Sequence, residues 1–180
     1  IEVLMGMRAD FCVGTGEDAE WIGSARLDGN EWADVRNNPV ASGATTASHF
    51  VTDLSHTLAQ STGVPFRALS LVDNACWLTA TSNDLSYEDV FLCQVQALSN
   101  PGDVVFGLSV SGSSLYFVRA LEWASKNRRH TVALVGRNGG ALKSLADHVI
   151  VVDESHYGRV EDVHGVICHV ISFALAVVGK

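Results

Sequence analysis

The sequence predicts an α/β fold, a three-layer sandwich in which a parallel sheet is flanked by helices. Three observations carry this. Compact apolar runs of strand length recur at 103–109, 130–135 and 148–152, with the Val- and Leu-rich character of strands buried on both faces. Helix-like segments separate them at 115–127 and 141–146, and a long apolar segment, 160–178, closes the chain. Strand and helix in alternation mean crossover connections, and those build parallel sheets covered on both faces.

In chain order, the apolar stretch from Ile1 to Val13 suits a strand or part of a helix, and Gly14-Thr15-Gly16 reads as a turn. The segment with Trp21, Gly29-Asn30 and Trp32 follows neither period cleanly, so it is expected to be mostly irregular, with a short helix near Glu31 to Arg36. Residues 1–41 therefore stand as an N-terminal segment packed on a core domain of residues 42–180. From Ser42 the pattern sharpens. A helix is expected over 44–58, capped by Ser42 or Thr45, then a strand over 66–72 after Gly63 and Pro65. Helices follow over 75–82 and 87–98, the second stopped by Asn100-Pro101-Gly102.

The 180 residues suit one domain with a proper core. A net charge of −8 with no dense basic stripe argues against a nucleic-acid partner. Polar residues interrupt each apolar run, so no membrane span is expected. Cys12, Cys76, Cys93 and Cys168 are widely spaced and form no C-x-x-C pair, as expected of free thiols in the reducing cytoplasm.

The stretch Gly107-Leu108-Ser109-Val110-Ser111-Gly112-Ser113-Ser114 carries the most chemistry. A buried strand delivers four serines and a glycine to the start of a helix. There the first-turn N–H groups have no intrahelical acceptor, and the helix dipole favours an anion. Small residues admit the ligand close to the backbone, and hydroxyls add donors without charge. A phosphate monoester is the natural occupant. Helix capping alone would need one serine, not four.

Ser109-Val110-Ser111-Gly112-Ser113-Ser114 resembles the S-x-S-G-x-S loop of sugar-phosphate isomerase (SIS) domains, which have a flavodoxin-like fold. Further matches point to the phosphoheptose isomerase family within them. Leu78-Thr79-Ala80, Asn83-Asp84 and Tyr87-Glu88-Asp89-Val90-Phe91 with Gln94-Val95 resemble that family's N-D pair and the helix after it. Ala47-Ser48-His49-Phe50 with Asp53 resembles its metal-binding helix. Val135-Gly136-Arg137-Asn138-Gly139-Gly140 resembles its T-G-x-x-G-G turn, and Arg159-Val160-Glu161-Asp162-Val163-His164 with His169 resembles its closing helix.

The resemblance implies an aldose–ketose isomerase. Its reaction would convert sedoheptulose 7-phosphate to a D-glycero-heptose 7-phosphate through an enediol, which needs a base, an acid and oxyanion stabilisation. It further implies Asp53 and His169 as the acid/base pair, with Asp84 in substrate contact or proton transfer. Substrate and phosphate contacts fall on Ser42, Asn83, Ser109, Val110, Ser111 and Ser114. A divalent metal, Zn2+ in many members, would be held by His49, Asp53, Glu161 and His169. On a helix, His49 and Asp53 are about 400° apart and share a face, whereas Glu161 and His169 stand about 80° out of line. The implied assembly is a homotetramer with sites shared between subunits.

The chain departs from the family pattern at four places. Pro39-Val40-Ala41-Ser42-Gly43-Ala44 replaces a G-N-G-G-S-A loop, Asp53 a glutamate, Glu161 a glutamine and Gly158 a frequent aspartate. These departures leave a second reading open, a non-catalytic SIS module that binds a sugar phosphate or a protein partner. Stoichiometric zinc and turnover would separate the two. Other candidates have plainer readings. Asp84 and Asp73-Asn74 serve equally as turn residues. His164 is expected to pair locally with Glu161, and Cys168 and His169, adjacent on a helix, point apart.

Overall fold

The computed structural model describes residues 3–8, 20–22, 24–25, 42–63 and 66–178, with side chains over 45–63 and 66–177. The strands are β1 (Val3–Arg8), β2 (Glu20–Ile22), β3 (Ser24–Ala25), β4 (Arg67–Ser70), β5 (Asp103–Ser109), β6 (His130–Gly136) and β7 (His148–Val152). They form one sheet. β5, β6 and β7 are consecutive and parallel, in registers that set Ser109 beside Val135 and Val135 beside Val151. β2 pairs parallel with β4 and β5, whereas β1 runs antiparallel to β3, β4 and β5. Part of the stretch expected to be irregular is thus strand. The expected turn at 14–16 and helix near 31–36 lie outside the described residues.

Helices cover both faces, and the side-chain alternation of the strands shows how. Val105, Ala133 and Val135 point into one core with Leu78, Phe91, Val95, Phe117, Ala120 and Leu121. Phe106, Leu108 and Leu134 point into another with Ala47, Phe50, Leu54, Leu58 and Cys168. Successive residues of a strand face opposite sides, so one sheet serves both cores. Each fully buried Phe or Leu contributes roughly 1.5–3 kcal/mol. The first core lies under α3 (Ala75–Asp84), α4 (Leu92–Leu98), α5 (Leu115–Lys126) and α6 (Leu142–Leu145). The second lies under α1 (Ser42–Thr52), α2 (Leu58–Thr62) and α7 (Tyr157–Val178).

Two expected helices are broken. The one expected over 44–58 runs from Ser42 to Thr62, but its middle, Asp53–Thr57, is a π-helical segment. The one expected over 87–98 opens as a 3₁₀ turn, Tyr87–Asp89, and becomes α4 only at Leu92. The Asn74 side chain caps α3, accepting from the Trp77 N–H at 3.0 Å. The closing helix corrects another expectation, because Tyr157–Val177 is long and apolar enough to cross a membrane by length and composition. Within the fold, however, α7 packs along α1 and β6 and buries Glu161, His164 and Ser172.

Candidate active site

The serine loop forms as β5 ends. Ser109 is fully buried, and its Oγ accepts the Gly112 N–H at 2.8 Å. Ser111 Oγ accepts the Ser113 N–H at 3.2 Å and lies 3.4 Å from Ser114 Oγ. Ser114 sits at the N-cap of α5 in extended conformation and makes no side-chain capping bond. The Ser114 carbonyl, not its hydroxyl, accepts the Phe117 and Val118 N–H groups, each at 3.0 Å, and the positive end of the helix dipole favours an anion there.

The loop is locked to the turn after β6. Gly112 has φ +63°, and a Cβ there would meet the Gly139 carbonyl oxygen at 2.2 Å. Gly140 has φ +53°, and its Cβ would strike Ser113 Oγ at 2.3 Å and the Gly112 and Ser111 carbonyl oxygens at 2.5 Å. Both the backbone angle and the space demand glycine. The Leu142 N–H donates to the Gly112 carbonyl at 2.9 Å, and the Ala141 N–H to Ser113 Oγ at 3.3 Å. This explains the two glycine-bearing motifs together, since each supplies half of one interlock.

A second cluster lies on the helix pair α1 and α7. Asp53 Oδ2 is 3.5 Å from His49 Nε2 and 3.7 Å from His169 Nε2. The two imidazoles meet edge-on, with ring centroids 5.2 Å apart. The Asp53 side chain is 18% exposed, whereas His49 and His169 are largely open. Asp53 is also the first residue of the π segment, an irregularity frequent at functional sites. Two hollows of about 280 Å³ flank the cluster. One is lined by Thr45, Thr46, His49, Gly165, Cys168 and His169. The other runs from Asp53 and His169 past Thr57, Ser61 and Ser172 to Phe173. Neither is lined by a residue of the 109–114 loop.

The ligand atoms of His49, Asp53 and His169 lie within 4.8 Å of one another, close enough to share a cation. Two imidazoles and a carboxylate are a zinc donor set that leaves a position for a substrate oxygen. Glu161, expected as a fourth ligand, is not in this group. It is 5% exposed, because eight residues of helix turn it about 80° away from His169 and inward.

Other expected residues are placed as follows. Ser42 opens α1, and its side chain lies outside the described residues. Asn83 and Asp84 end α3, both exposed, and Asn83 Nδ2 donates to Asp84 Oδ1 at 2.8 Å. Asp73 accepts from Ser48 Oγ at 2.7 Å, tying the end of β4 to α1. Val110 is fully buried and contributes only backbone. His164 has a partner on the sheet, the Val135 carbonyl, while its Nε2 is buried and unbonded. Burial, partly offset by that hydrogen bond, lowers its pKa to about 4. Burial first and the Asp53 charge second push the Cys168 thiol far up, so it is an inert wall of the hollow. Sequence reasoning missed the Phe173 ring beside His169, centroids 6.4 Å apart. The i, i+4 spacing was its only signal.

A glycine-keyed serine loop at the carboxyl end of β5 and a His–Asp cluster on the helices of the other core are the two candidate centres of this α/β fold. Comparisons with known proteins narrow the class. No family model matches the chain. A probable phosphoheptose isomerase of Thermoplasma acidophilum is 37% identical over 154 residues, 85% of this chain and 82% of that protein. A phosphoheptose isomerase of Chlorobium phaeobacteroides is 41% identical over 130 residues, 71% of this chain but 58% of its own length. Among solved structures, a phosphoheptose isomerase of Francisella tularensis superposes with a TM-score of 0.67 at 27% identity, covering 74% of this chain and 70% of the other. One from Neisseria gonorrhoeae gives 0.66 at 27%, covering 74% and 71%. The chain belongs to the phosphoheptose isomerase family.

Proposed function

We propose that the protein isomerises sedoheptulose 7-phosphate to a D-glycero-heptose 7-phosphate. One observation carries the reading most directly: in a chain of this family, a half-buried carboxylate, Asp53, has an imidazole Nε2 on either side. In the proposed reaction the 109–114 loop takes the phosphate through Ser111, Ser114 and the positive end of the α5 dipole. Asp53 Oδ2 removes the proton from C1 of the ketose, and His169 Nε2 supplies a proton to the C2 oxygen, giving the enediol. Return of a proton to C2 and loss of the O1 proton complete the aldose. Each transfer needs donor and acceptor within hydrogen-bond reach. Asp53, one methylene shorter than glutamate, stands at the start of the π segment. His49, Asp53 and His169 would also hold a divalent cation, which when bound polarises a sugar oxygen.

The proposed assembly is a cytoplasmic homotetramer. Its support is an outward stripe on α7, where Val163, Val166, Val170, Phe173 and Val177 are 40–74% exposed at three- and four-residue spacing. Because the His–Asp hollows contain no loop serine, a neighbouring subunit would complete the site.

Turnover of sedoheptulose 7-phosphate, followed by NMR, tests the reading. His169→Ala is expected to abolish turnover, and Ser111→Ala to raise KM about tenfold with a smaller change in kcat. Undiminished turnover in His169→Ala would remove the mechanism. Phosphate binding with no turnover in the unaltered protein would instead support a non-catalytic sugar-phosphate module.

A further inference from the structure

Arg119 stands on α5, five residues after Ser114, and spans two carboxylates of a distant segment. Its Nη1 is 3.2 Å from Glu88 Oε2 and its Nη2 is 2.9 Å from Asp89 Oδ1. The other Asp89 oxygen, Oδ2, accepts from Ser86 Oγ at 2.7 Å. Asp89 is thus held from both sides, by the serine that opens the 3₁₀ turn and by the helix that follows the serine loop. Aromatic packing runs in parallel. The Tyr87 ring meets Tyr116 at 5.4 Å between centroids, and Tyr116 meets Phe91 at 5.3 Å. The 3₁₀ turn therefore cannot shift without disturbing the start of α5.

The turn immediately follows Asn83 and Asp84. Three residues of chain reach at most about 10 Å, so anchoring Tyr87 confines the Asp84 backbone within that radius. The Asn83 amide then orients that carboxylate from its own side.

We infer that Arg119 is a positioning residue, which through Asp89 and Ser86 holds the Asn83–Asp84 end of α3, the pair whose substrate contact the family resemblance implies. This rests on the isomerase reading above. Arg119 itself does not touch the substrate. As a half-exposed ion pair it adds little to stability, since exposed pairs are weakened by solvent and salt. Its effect falls on placement, to which proton transfer and sugar binding are far more sensitive.

The test is a double-substitution cycle on the full chain. Arg119→Met is expected to lower kcat/KM for sedoheptulose 7-phosphate about tenfold while the affinity for inorganic phosphate stays within about twofold. The thermal midpoint is expected to hold. Arg119→Lys, which keeps one carboxylate contact, should recover part of the loss. In an Asp84→Asn background, Arg119→Met should add nothing further, because its effect passes through Asp84. The inference is overturned if kcat/KM is unchanged in Arg119→Met, if the two losses multiply, or if phosphate affinity falls in step. Absence of any turnover in the unaltered protein would sink the isomerase reading itself, and this inference with it.

Discussion

The His164 ring is neutral at pH 7, because 3% exposure leaves no water to solvate an imidazolium. Its pKa is about 4 in the fold against an ordinary 6.5. The unfolded chain therefore takes up a proton between those values that the native state refuses. Stability from this group is complete above the ordinary pKa and is lost as pH falls from about 6.5 towards about 4. The loss is about 2 kcal/mol by pH 5. Urea unfolding at pH 7 and pH 5 should show that slope in the native sequence and a weaker one in His164→Gln. Equal slopes would contradict the account. The structural consequence reaches the site, since Val135 is the cross-strand neighbour of Ser109. The individual site residues were legible where motif and helical spacing agreed, as for His49 and Asp53. The position of Glu161 was only half legible. Its 80° offset was calculable, but which of the two residues turned inward depended on the sheet beneath α7. The partner of His164 was not legible at all, because it lies on another strand.

Helix α7 presents two unlike faces. Its inner face, with Val160, His164, Cys168 and Leu175, packs against the sheet and α1, while the apolar stripe from Val163 to Val177 faces outward. In the proposed tetramer this exposed apolar row would be the contact surface. Val166→Asp combined with Val177→Asp is expected to convert the assembly to smaller species in sedimentation measurements without loss of helix content. An unchanged mass would remove the stripe from the interface. Strands β5 and β7 were readable to the residue, because short apolar runs between turn signals leave little choice of boundary. The 3₁₀ turn at Tyr87–Asp89 was not. Tyr87 and Phe91 are spaced like helix neighbours, and only Tyr116 and Arg119, from a helix far along the chain, decide otherwise. The π segment likewise left no mark in the composition of Asp53–Thr57.

Across the whole molecule, two cores share one sheet, and the proposed ligand sits at its carboxyl edge. Binding to the native state alone raises stability by about 2.7 kcal/mol at a ligand concentration of 100 times Kd. For a chain of this size that is a rise of roughly 5–10 °C in thermal midpoint. Sedoheptulose 7-phosphate should produce such a shift, and Ser111→Ala should need proportionally more ligand to match it. No shift at saturating ligand would contradict binding. The α/β class was legible at this scale because alternation of strand and helix is a property of long segments, on which local errors average out. The antiparallel course of β1 was not, since the direction of a strand leaves no trace in its own residues.

The keyed glycines at 112 and 140 leave no room for side-chain variation where the two crossover connections meet. In the proposed reading, discrimination among anionic sugars would fall to groups on α1, α3 and α7. A descendant of this chain could change its sugar by altering those helices alone, while the anion seat passed unaltered from one activity to the next.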